Sequence, residues 1–230
     1  MAEGLNGFLV VDKPGGMTSR DVVNRIQRIL PRRTKIGHTG TLDPLATGVL
    51  VLCIGSATKL ADRVQAMGKS YLARIRLGAT SDTDDRDGIV SVTPNPVPPA
   101  LESIQAALRA FTGTIQQTPP NYSAVKVGGR RAHDLARAGR TLELTSRPVT
   151  VYRIEIRGYT WPDLDLEIDC SKGTYIRSIA RDLGQALEVG GLIDSLRRTK
   201  VGHFFAEQGV GIDVDEELIR RSLRSVDELG

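Results

Sequence analysis

The sequence predicts a fold that combines α-helices with β-strands, and three segments show this most clearly. Residues 49–54 form an unbroken apolar run that is rich in β-branched side chains and has glycine at both ends, which is typical of a buried strand. Residues 69–77 alternate between apolar and polar side chains, as a strand with one buried face does. Residues 18–30 repeat apolar side chains at helical spacing, and Thr18 with Asp21 is typical of a capping box.

The remaining elements follow from the same two periodicities. Helix 100–111 directs Leu101, Ile104, Leu108 and Phe111 inward. The other predicted strands cover residues 7–11, 149–157, 164–170 and 201–205, and the other predicted helices cover 57–67, 176–187 and 216–223.

The acidic turn 81–88 resembles a calcium loop only loosely, because position six is Asp87 where glycine is needed, and we exclude calcium.

Composition narrows the class of protein. Aromatic residues make up only 4% of the 230 residues, so the core is aliphatic. No apolar run approaches the roughly 18 residues of a membrane span, and the first residues lack the pattern of a signal peptide, so we expect a cytoplasmic protein. Cys53 and Cys170 are far apart and are expected to be buried free thiols. The three histidines and two cysteines have no metal-ligand spacing, so we expect no metal.

The charges are segregated along the chain although the net charge is only +4. Basic residues gather in the first forty positions, in 126–147 and in 197–200, whereas acids gather in 82–87 and 213–217. This segregation favours an anionic partner such as nucleic acid, and a solvated surface is the alternative. Residues 118–148 are basic and poor in large apolar side chains, so we expect them to project as a flap that binds nucleic acid, with a short helix at 132–138.

Three side chains are candidates for chemistry. Asp43 lies in the small-residue loop 37–48 before a core strand, where it is either a catalytic carboxylate or part of an Asx-Pro turn. Tyr71 lies on the apolar face of its strand, where a core role and a functional role are both open. Arg177 lies in the first turn of its helix, where the helix dipole disfavours a cation, so it is either a surface residue or has a buried carboxylate partner.

Together, six segments in order resemble the TruB-type tRNA pseudouridine-55 synthases, a family of the pseudouridine synthase superfamily. The resemblance runs from about Leu5 to Lys200 and is specific because the spacing of all six segments is compatible. The segments are Val11-Asp12-Lys13-Pro14, residues 37–48, Lys69-Ser70-Tyr71, Leu77-Gly78 with the acidic turn, Tyr122-Ser123-Ala124-Val125-Lys126 and Lys172-Gly173-Thr174-Tyr175-Ile176-Arg177.

The resemblance implies an α+β fold with a large, mixed, mostly antiparallel sheet, helices flanking it and a central RNA-binding cleft. Residues 1–205 would form the catalytic domain, with 118–148 as a mobile RNA-binding insertion. Many bacterial members end in an RNA-binding domain of the PUA type. Residues 206–230 are too short for a complete one, so this acidic tail is either a reduced substitute or what remains after loss or trimming.

The resemblance also implies the activity, which is conversion of uridine 55 in the T-loop of tRNA to pseudouridine by a monomer. The uridine is flipped out, its N1–C1′ bond is cut, and C5 is joined to C1′. Nothing is added or lost, so no cofactor is expected. By resemblance, the catalytic residues are Asp43, Tyr71 and Arg177, and the RNA-binding residues are Lys13, His38, Lys126, Arg130, Arg131 and Tyr175.

The first step stays open at this stage, because Asp43 could attack C1′, attack C6 or promote loss of the C2′ proton. In this scheme Tyr71 stacks on the target base and assists removal of the C5 proton, while Arg177 pairs with Asp43. Two other functions are weighed, a non-catalytic RNA chaperone and an RNA N-glycosidase.

Overall fold

The computed structural model describes residues 5–123, 125–127, 130–132, 135 and 144–229. The chain divides into two compact units, the first containing the residues up to Tyr71 and those from Leu196 onward, and the second containing Leu72–Ser195. None of the helices in the described ranges is long and apolar enough to cross a membrane. The helices are α1 (Ser19–Ile29), α2 (Ala61–Ala66), α3 (Leu101–Arg109), α4 (Ile176–Ala186) and α5 (Glu216–Ser222).

The strands, numbered in chain order, account for most of the remaining regular structure. They are β1 (Gly7–Lys13), β2 (Ile36–His38), β3 (Thr47–Ile54), β4 (Lys69–Leu77), β5 (Ala79–Ser81), β6 (Val90–Val92), β7 (Gly113–Gln117), β8 (Lys126–Val127), β9 (Arg130–Arg131), β10 (Arg147–Thr160), β11 (Asp163–Cys170), β12 (Gly191–Val201) and β13 (Phe204–Phe205).

The first unit is organised around β3. Strand β1 pairs antiparallel with it along its length, from Gly7 opposite Ile54 to Lys13 opposite Gly48. Strand β2 also pairs with it antiparallel, whereas β12 pairs with its beginning in parallel, with Arg198 opposite Gly48. The sheet of this unit is therefore mixed.

Both faces of this sheet are buried, which explains why residues 49–54 show no polar alternation. On one face, Leu50, Leu52 and Ile54 pack in a cluster with the apolar stripe of α1 and with Ile219 of α5. On the other face, Val49, Val51 and Cys53 pack in a second cluster, which includes Phe8, Val64 and Phe204. The central strand that carries the Asp43 loop is thus enclosed on both sides.

The second unit is built on β10, which pairs antiparallel with β11 and with β7. Strand β11 has the predicted alternation, with Leu164, Leu166, Ile168 and Cys170 buried. The hairpins β5–β6 and β8–β9 are separate two-stranded pairs. With helices packed beside mostly antiparallel strands, the chain has the α+β class that the sequence predicts.

Most of the predicted elements are confirmed, including α1 with its Thr18–Asp21 capping box. Three expectations are wrong. The predicted helix 57–67 begins as the 3₁₀ turn Gly55–Leu60 and is α-helical only over α2, and Leu101 is 39% exposed although it was expected to face inward. The predicted strand 201–205 is in fact the last residue of the long β12 followed by the short β13. The sequence does not predict the rest of β12, because charged residues interrupt its apolar alternation.

Both cysteines are free and buried, as expected. Only Ala132 and Leu135 of the predicted helix 132–138 belong to the described residues, and both are buried. The rest of that predicted helix lies outside them.

Candidate active site

Asp43 lies half-buried on the loop that joins β2 to β3. The backbone on both sides of it is held by hydrogen bonds. The backbone N–H of Leu42 donates to Oγ of Ser19 at 2.8 Å, and this hydroxyl donates to the Leu42 carbonyl at 3.2 Å. The carbonyl of Pro44 accepts from the backbone N–H of Gly16 at 2.8 Å. The loop therefore holds the Asp43 backbone against the start of α1.

Lys13 is fully buried at the end of β1 and is bonded to the same loop. Its Nζ donates to the carbonyls of Pro14 (2.9 Å), Met17 (2.7 Å) and Pro44 (3.2 Å). Burial lowers the pKa of Lys13 to about 8, while the negative charge of Asp43 acts in the opposite direction. All three ammonium hydrogens are used, so Lys13 ties the loop to the strand and places a positive charge near Asp43.

Arg198 of β12 is a second buried cation on the loop, and it is only 3% exposed. Its Nε donates to the Val49 carbonyl at 2.7 Å, Nη2 to Gly40 at 3.2 Å and Nη1 to Thr41 at 3.4 Å. Because Arg198 bridges the loop to β3, it fixes the segment immediately before Asp43.

Sequence reasoning missed this role, because it counted residues 197–200 as a basic stretch for an anionic partner. That interpretation is wrong for Arg198, which is buried, and Arg197 pairs with Asp12 at 2.9 Å. No local signal identified the inward arginine, because the residue pattern at 197–200 does not predict a strand, and the alternation of faces along β12 (Gly191–Val201) is visible only in the structure.

Tyr71 and His38 complete the predicted site residues of the first unit. Tyr71 is 8% exposed at the start of β4, which fits both a core residue and an aromatic platform. His38 is half-buried at the end of β2, where it is opposite Leu52 of β3. The structure thus places Lys13, His38, Asp43 and Tyr71 in one unit, and their roles towards RNA stay predictions.

Arg177 belongs to the second unit and is 4% exposed in the first turn of α4, so the surface alternative is wrong. Its Nη1 donates to the Thr83 carbonyl at 2.8 Å and lies 3.7 Å from Oδ2 of Asp85, while Nη2 donates to the Tyr122 carbonyl at 2.9 Å. Asp85 is the buried carboxylate that the position of Arg177 led us to expect. The pairing of Arg177 with Asp43 joins residues of different units and stays a prediction.

The acidic turn 81–88 is more than a solvated turn, because two of its acids face inward to arginines. Besides Asp85, Asp84 accepts from Arg181 at 3.0 Å, and burial raises the pKa of Asp84 above its usual value. Sequence reasoning missed both pairs because no periodicity in this turn separates inward acids from outward ones.

Tyr175 immediately precedes α4, and its backbone is clamped by the buried side chain of Gln117. That amide accepts from the Tyr175 N–H at 2.8 Å and donates to its carbonyl at 3.0 Å. The guanidinium of Arg147 lies 5.1 Å from the centre of the Tyr175 ring. The Tyr175 ring is therefore held at the N-terminus of α4.

The predicted RNA-binding residues of the insertion lie on the β8–β9 hairpin, where Lys126 is opposite Arg131 and Val127 is opposite Arg130. Their side chains lie outside the part of the chain that the structure describes. Among the residues that it does describe, no group of three or more His, Cys, Asp and Glu side chains could hold a metal ion.

The family models match nearly the whole of this sequence. Residues 27–176 match the TruB family pseudouridylate synthase N-terminal domain, and residues 177–229 match the tRNA pseudouridylate synthase B C-terminal domain. The fold is thus that of a pseudouridylate synthase. The chain belongs to the TruB family, as its six sequence segments predict.

Similar proteins include the tRNA pseudouridine synthase B of Mycobacterium ulcerans (strain Agy99), which is 53% identical over 213 residues, 90% of this chain and 70% of that protein. The tRNA pseudouridine synthase B of Corynebacterium diphtheriae is 48% identical over 219 residues, 92% of this chain and 73% of that protein.

Solved structures also resemble this chain. A chain of a Cbf5–Nop10–Gar1 complex has a TM-score of 0.74 at 29% identity, over 97% of this chain and 61% of that one. A chain of an H/ACA RNP bound to a substrate RNA containing 2′-deoxyuridine has a TM-score of 0.70 at 27% identity, over 97% and 60%. This chain therefore spans about three fifths of those two.

Proposed function

We propose that this protein converts uridine 55 in the T-loop of tRNA to pseudouridine. Its membership of the TruB family and the relatives named tRNA pseudouridine synthase B, at 48% to 53% identity, support tRNA as substrate. The structural observation that carries the proposal is the hydrogen-bonded loop around Asp43, with Lys13 and Arg198 buried behind it. A half-exposed carboxylate held in this way is suited to act on a flipped nucleotide.

The proposed reaction is balanced without any added reagent. The N1–C1′ bond breaks, the uracil turns, and a C5–C1′ bond forms. The proton on C5 is then lost, and N1 ends with a proton, so product and substrate have the same composition. The enzyme must therefore flip the base, keep it after cleavage, and move protons.

Asp43 is the proposed catalytic group. Its carboxylate attacks C1′ or C6, or promotes loss of the C2′ proton, and the three routes differ in the bond it makes first. In each route a fixed carboxylate is better than a mobile one, because no loop rearrangement is needed when charge develops. Lys13 and Arg198 are positioning residues in this scheme, since they hold the backbone of the loop.

The other site residues serve the flipped base and the RNA. Tyr71 stacks on the target base, which recovers part of the few kcal/mol that flipping costs, and assists removal of the C5 proton. Arg177 pairs with the Asp43 carboxylate, and Tyr175 lines the pocket. His38 contacts the RNA near the vacated stack. Lys126, Arg130 and Arg131 add phosphate contacts from the insertion.

The proposal is tested by tritium release from tRNA that carries 5-³H-uridine. We expect release by the wild type and a loss of at least about 10³-fold in Asp43→Asn, because the variant keeps the shape of the side chain without its charge. Asp62→Asn, which changes an exposed aspartate of α2 in the same way, is the matched control and should keep full activity.

Other outcomes separate the alternatives. Absence of release by the wild type would contradict the proposed reaction, and tRNA binding without release would favour an RNA chaperone. Free uracil among the products would instead identify an N-glycosidase. The monomeric state and the boundary between the catalytic domain 1–205 and the tail 206–230 are proposed on the resemblance alone, and the cytoplasmic location is proposed because no apolar run in the sequence is long enough to span a membrane.

A further inference from the structure

We infer that one surface of the first unit binds the sugar–phosphate backbone of a paired stem of the substrate RNA. We name it the α1 cationic face, and it consists of Arg20 and Arg28 on α1 and Arg32, Arg33 and Lys35 in the segment between α1 and β2. The inference rests on the proposed function and adds a third RNA contact, apart from the Asp43 loop and the insertion.

The cations of this face are exposed, and their charges are not neutralised by neighbours. All five side chains are exposed, and none of them makes an ion pair or hydrogen bond within the described residues. Arg25 of the same helix differs, because it pairs with Asp213. The one acid of α1, Asp21, is occupied by the capping box with Thr18. The structure thus leaves a one-sided positive surface.

The helix arranges part of this face in a row that starts at the candidate active site. Arg20, Asn24 and Arg28 follow one another at four-residue intervals, so they share one side of α1 over about 12 Å. The opposite side of the helix is buried in the core. Because Ser19 is bonded to Leu42, the row begins beside the loop that carries Asp43.

The turn after α1 carries Arg32 and Arg33, and the backbone of Arg33 is strained. Arg33 has φ of 67°, a left-handed conformation in which glycine or asparagine is preferred. Two hydrogen bonds close the turn, because Thr34 donates to the Pro31 carbonyl through N (3.1 Å) and Oγ1 (2.7 Å). From this backbone outlier and the exposure of Arg33 we infer a role for its side chain.

The composition of the face indicates which form of RNA it binds. Proteins that bind single strands combine cations with aromatic side chains on which bases stack. Residues 19–35 contain no aromatic residue. A cationic surface without a stacking platform fits the phosphates of a paired stem, and the contact is expected to be independent of base sequence.

The test compares two triple variants that lose the same charge. The face variant is Arg28→Ala, Arg32→Ala and Arg33→Asn. The control variant is Arg25→Ala, Arg220→Ala and Arg221→Ala, which removes three arginines of the same unit that already pair with acids. Binding of a tRNA transcript is measured between 50 and 200 mM salt, with pseudouridine formation at saturating tRNA as the second readout.

We expect the face variant to bind tRNA about 10-fold to 100-fold more weakly at the lower salt concentrations, and its slope of log K against log salt to fall by about 2. The value of kcat should stay near that of the wild type, and the control variant should keep the wild-type slope. An unchanged slope in the face variant would overturn the inference. A wild type that binds tRNA but forms no pseudouridine would overturn the proposed function, while the slopes would still test the face.

Arg33→Asn alone gives a second, independent check. Asparagine tolerates the left-handed conformation better than arginine does, so Tm should be equal to or above that of the wild type while RNA binding weakens. A lower Tm with an unchanged salt slope would assign Arg33 a structural role and remove it from the face.

Discussion

Gly48 and Arg198 lie opposite each other in the parallel pair of β3 and β12, and their backbones are in close contact. A Cβ on Gly48 would lie 2.1 Å from the carbonyl oxygen of Arg198, and Gly48 has φ of +99°. This approach brings β12 against the start of β3, from which the Arg198 side chain reaches the carbonyls of Gly40 and Thr41. The position of the Asp43 loop thus depends on a glycine after it and an arginine far away in sequence.

Gly48→Ala should therefore lower stability and activity together. The added methyl group meets backbone, which cannot move aside cheaply, and the positive φ adds strain, so we expect a loss of at least about 2 kcal/mol in the free energy of unfolding. Urea denaturation measures it. Gly37→Ala is the control, because a Cβ there meets no heavy atom within 4 Å, and an equal loss in that variant would contradict the explanation.

Arg198→Lys should reduce kcat more than it changes KM. Lysine keeps the charge but cannot make three separate bonds from a planar fork, so carbonyls of the loop are left without their donors. We expect kcat to fall about 10-fold to 100-fold and the free energy of unfolding to fall by about 2 kcal/mol. Steady-state kinetics and denaturation measure the two effects.

The neighbouring arginine provides the control for that prediction. Arg197→Ala removes a partly exposed pair with Asp12 and should cost no more than about 1 kcal/mol. Equal kinetic losses in Arg197→Ala and Arg198→Lys would show that net charge, and not the position of the loop, accounts for the effect.

The sequence predicts those elements whose apolar side chains follow one periodicity. Helix α1 and strands β4 and β11 have the predicted alternation or stripe almost without exception, because each has one buried face. Strand β12 could not be found in this way. Its buried face includes Arg198. The charge of Arg198 is tolerated in the interior because the carbonyls of Val49 in β3 and of Gly40 and Thr41 in the loop accept its hydrogen bonds.

The candidate site also contains residues that the sequence predicts and residues that only the structure reveals. The resemblance selects Asp43, Tyr71 and Arg177, but the contacts that hold them come from residues without any local signal. Asp85 pairs with Arg177 across 92 positions of the chain, and nothing in the turn 81–88 distinguishes it from the exposed Asp87. Burial decides which acid faces inward, and burial is a property of the folded unit.

Asp85→Asn should destabilise the second unit and lower activity. Arg177 and Asp85 are 4% and 5% exposed, and removing one charge of such a buried ion pair costs about 3 kcal/mol or more. Denaturant unfolding and tritium release are the measurements. Asp87→Asn alters an exposed acid of the same turn and should change neither property by a measurable amount. Equal stability of the two variants would mean that the ion pair between Asp85 and Arg177 does not stabilise the fold.

Lys13 should make stability depend on pH in the alkaline range. Its pKa is about 8 when folded and about 10.5 when unfolded, so between these values the unfolded chain holds a proton that the folded chain has lost. The contribution of Lys13 to the free energy of unfolding is therefore constant below pH 8. Above pH 8 it rises with pH, by up to about 3 kcal/mol. Denaturant unfolding of the wild type and Lys13→Met at pH 7 and pH 10 measures the difference, which should shift in favour of the wild type at the higher pH. Lys172→Met, at an exposed lysine, should show no such shift, and a difference between wild type and Lys13→Met that is constant with pH would contradict the lowered pKa.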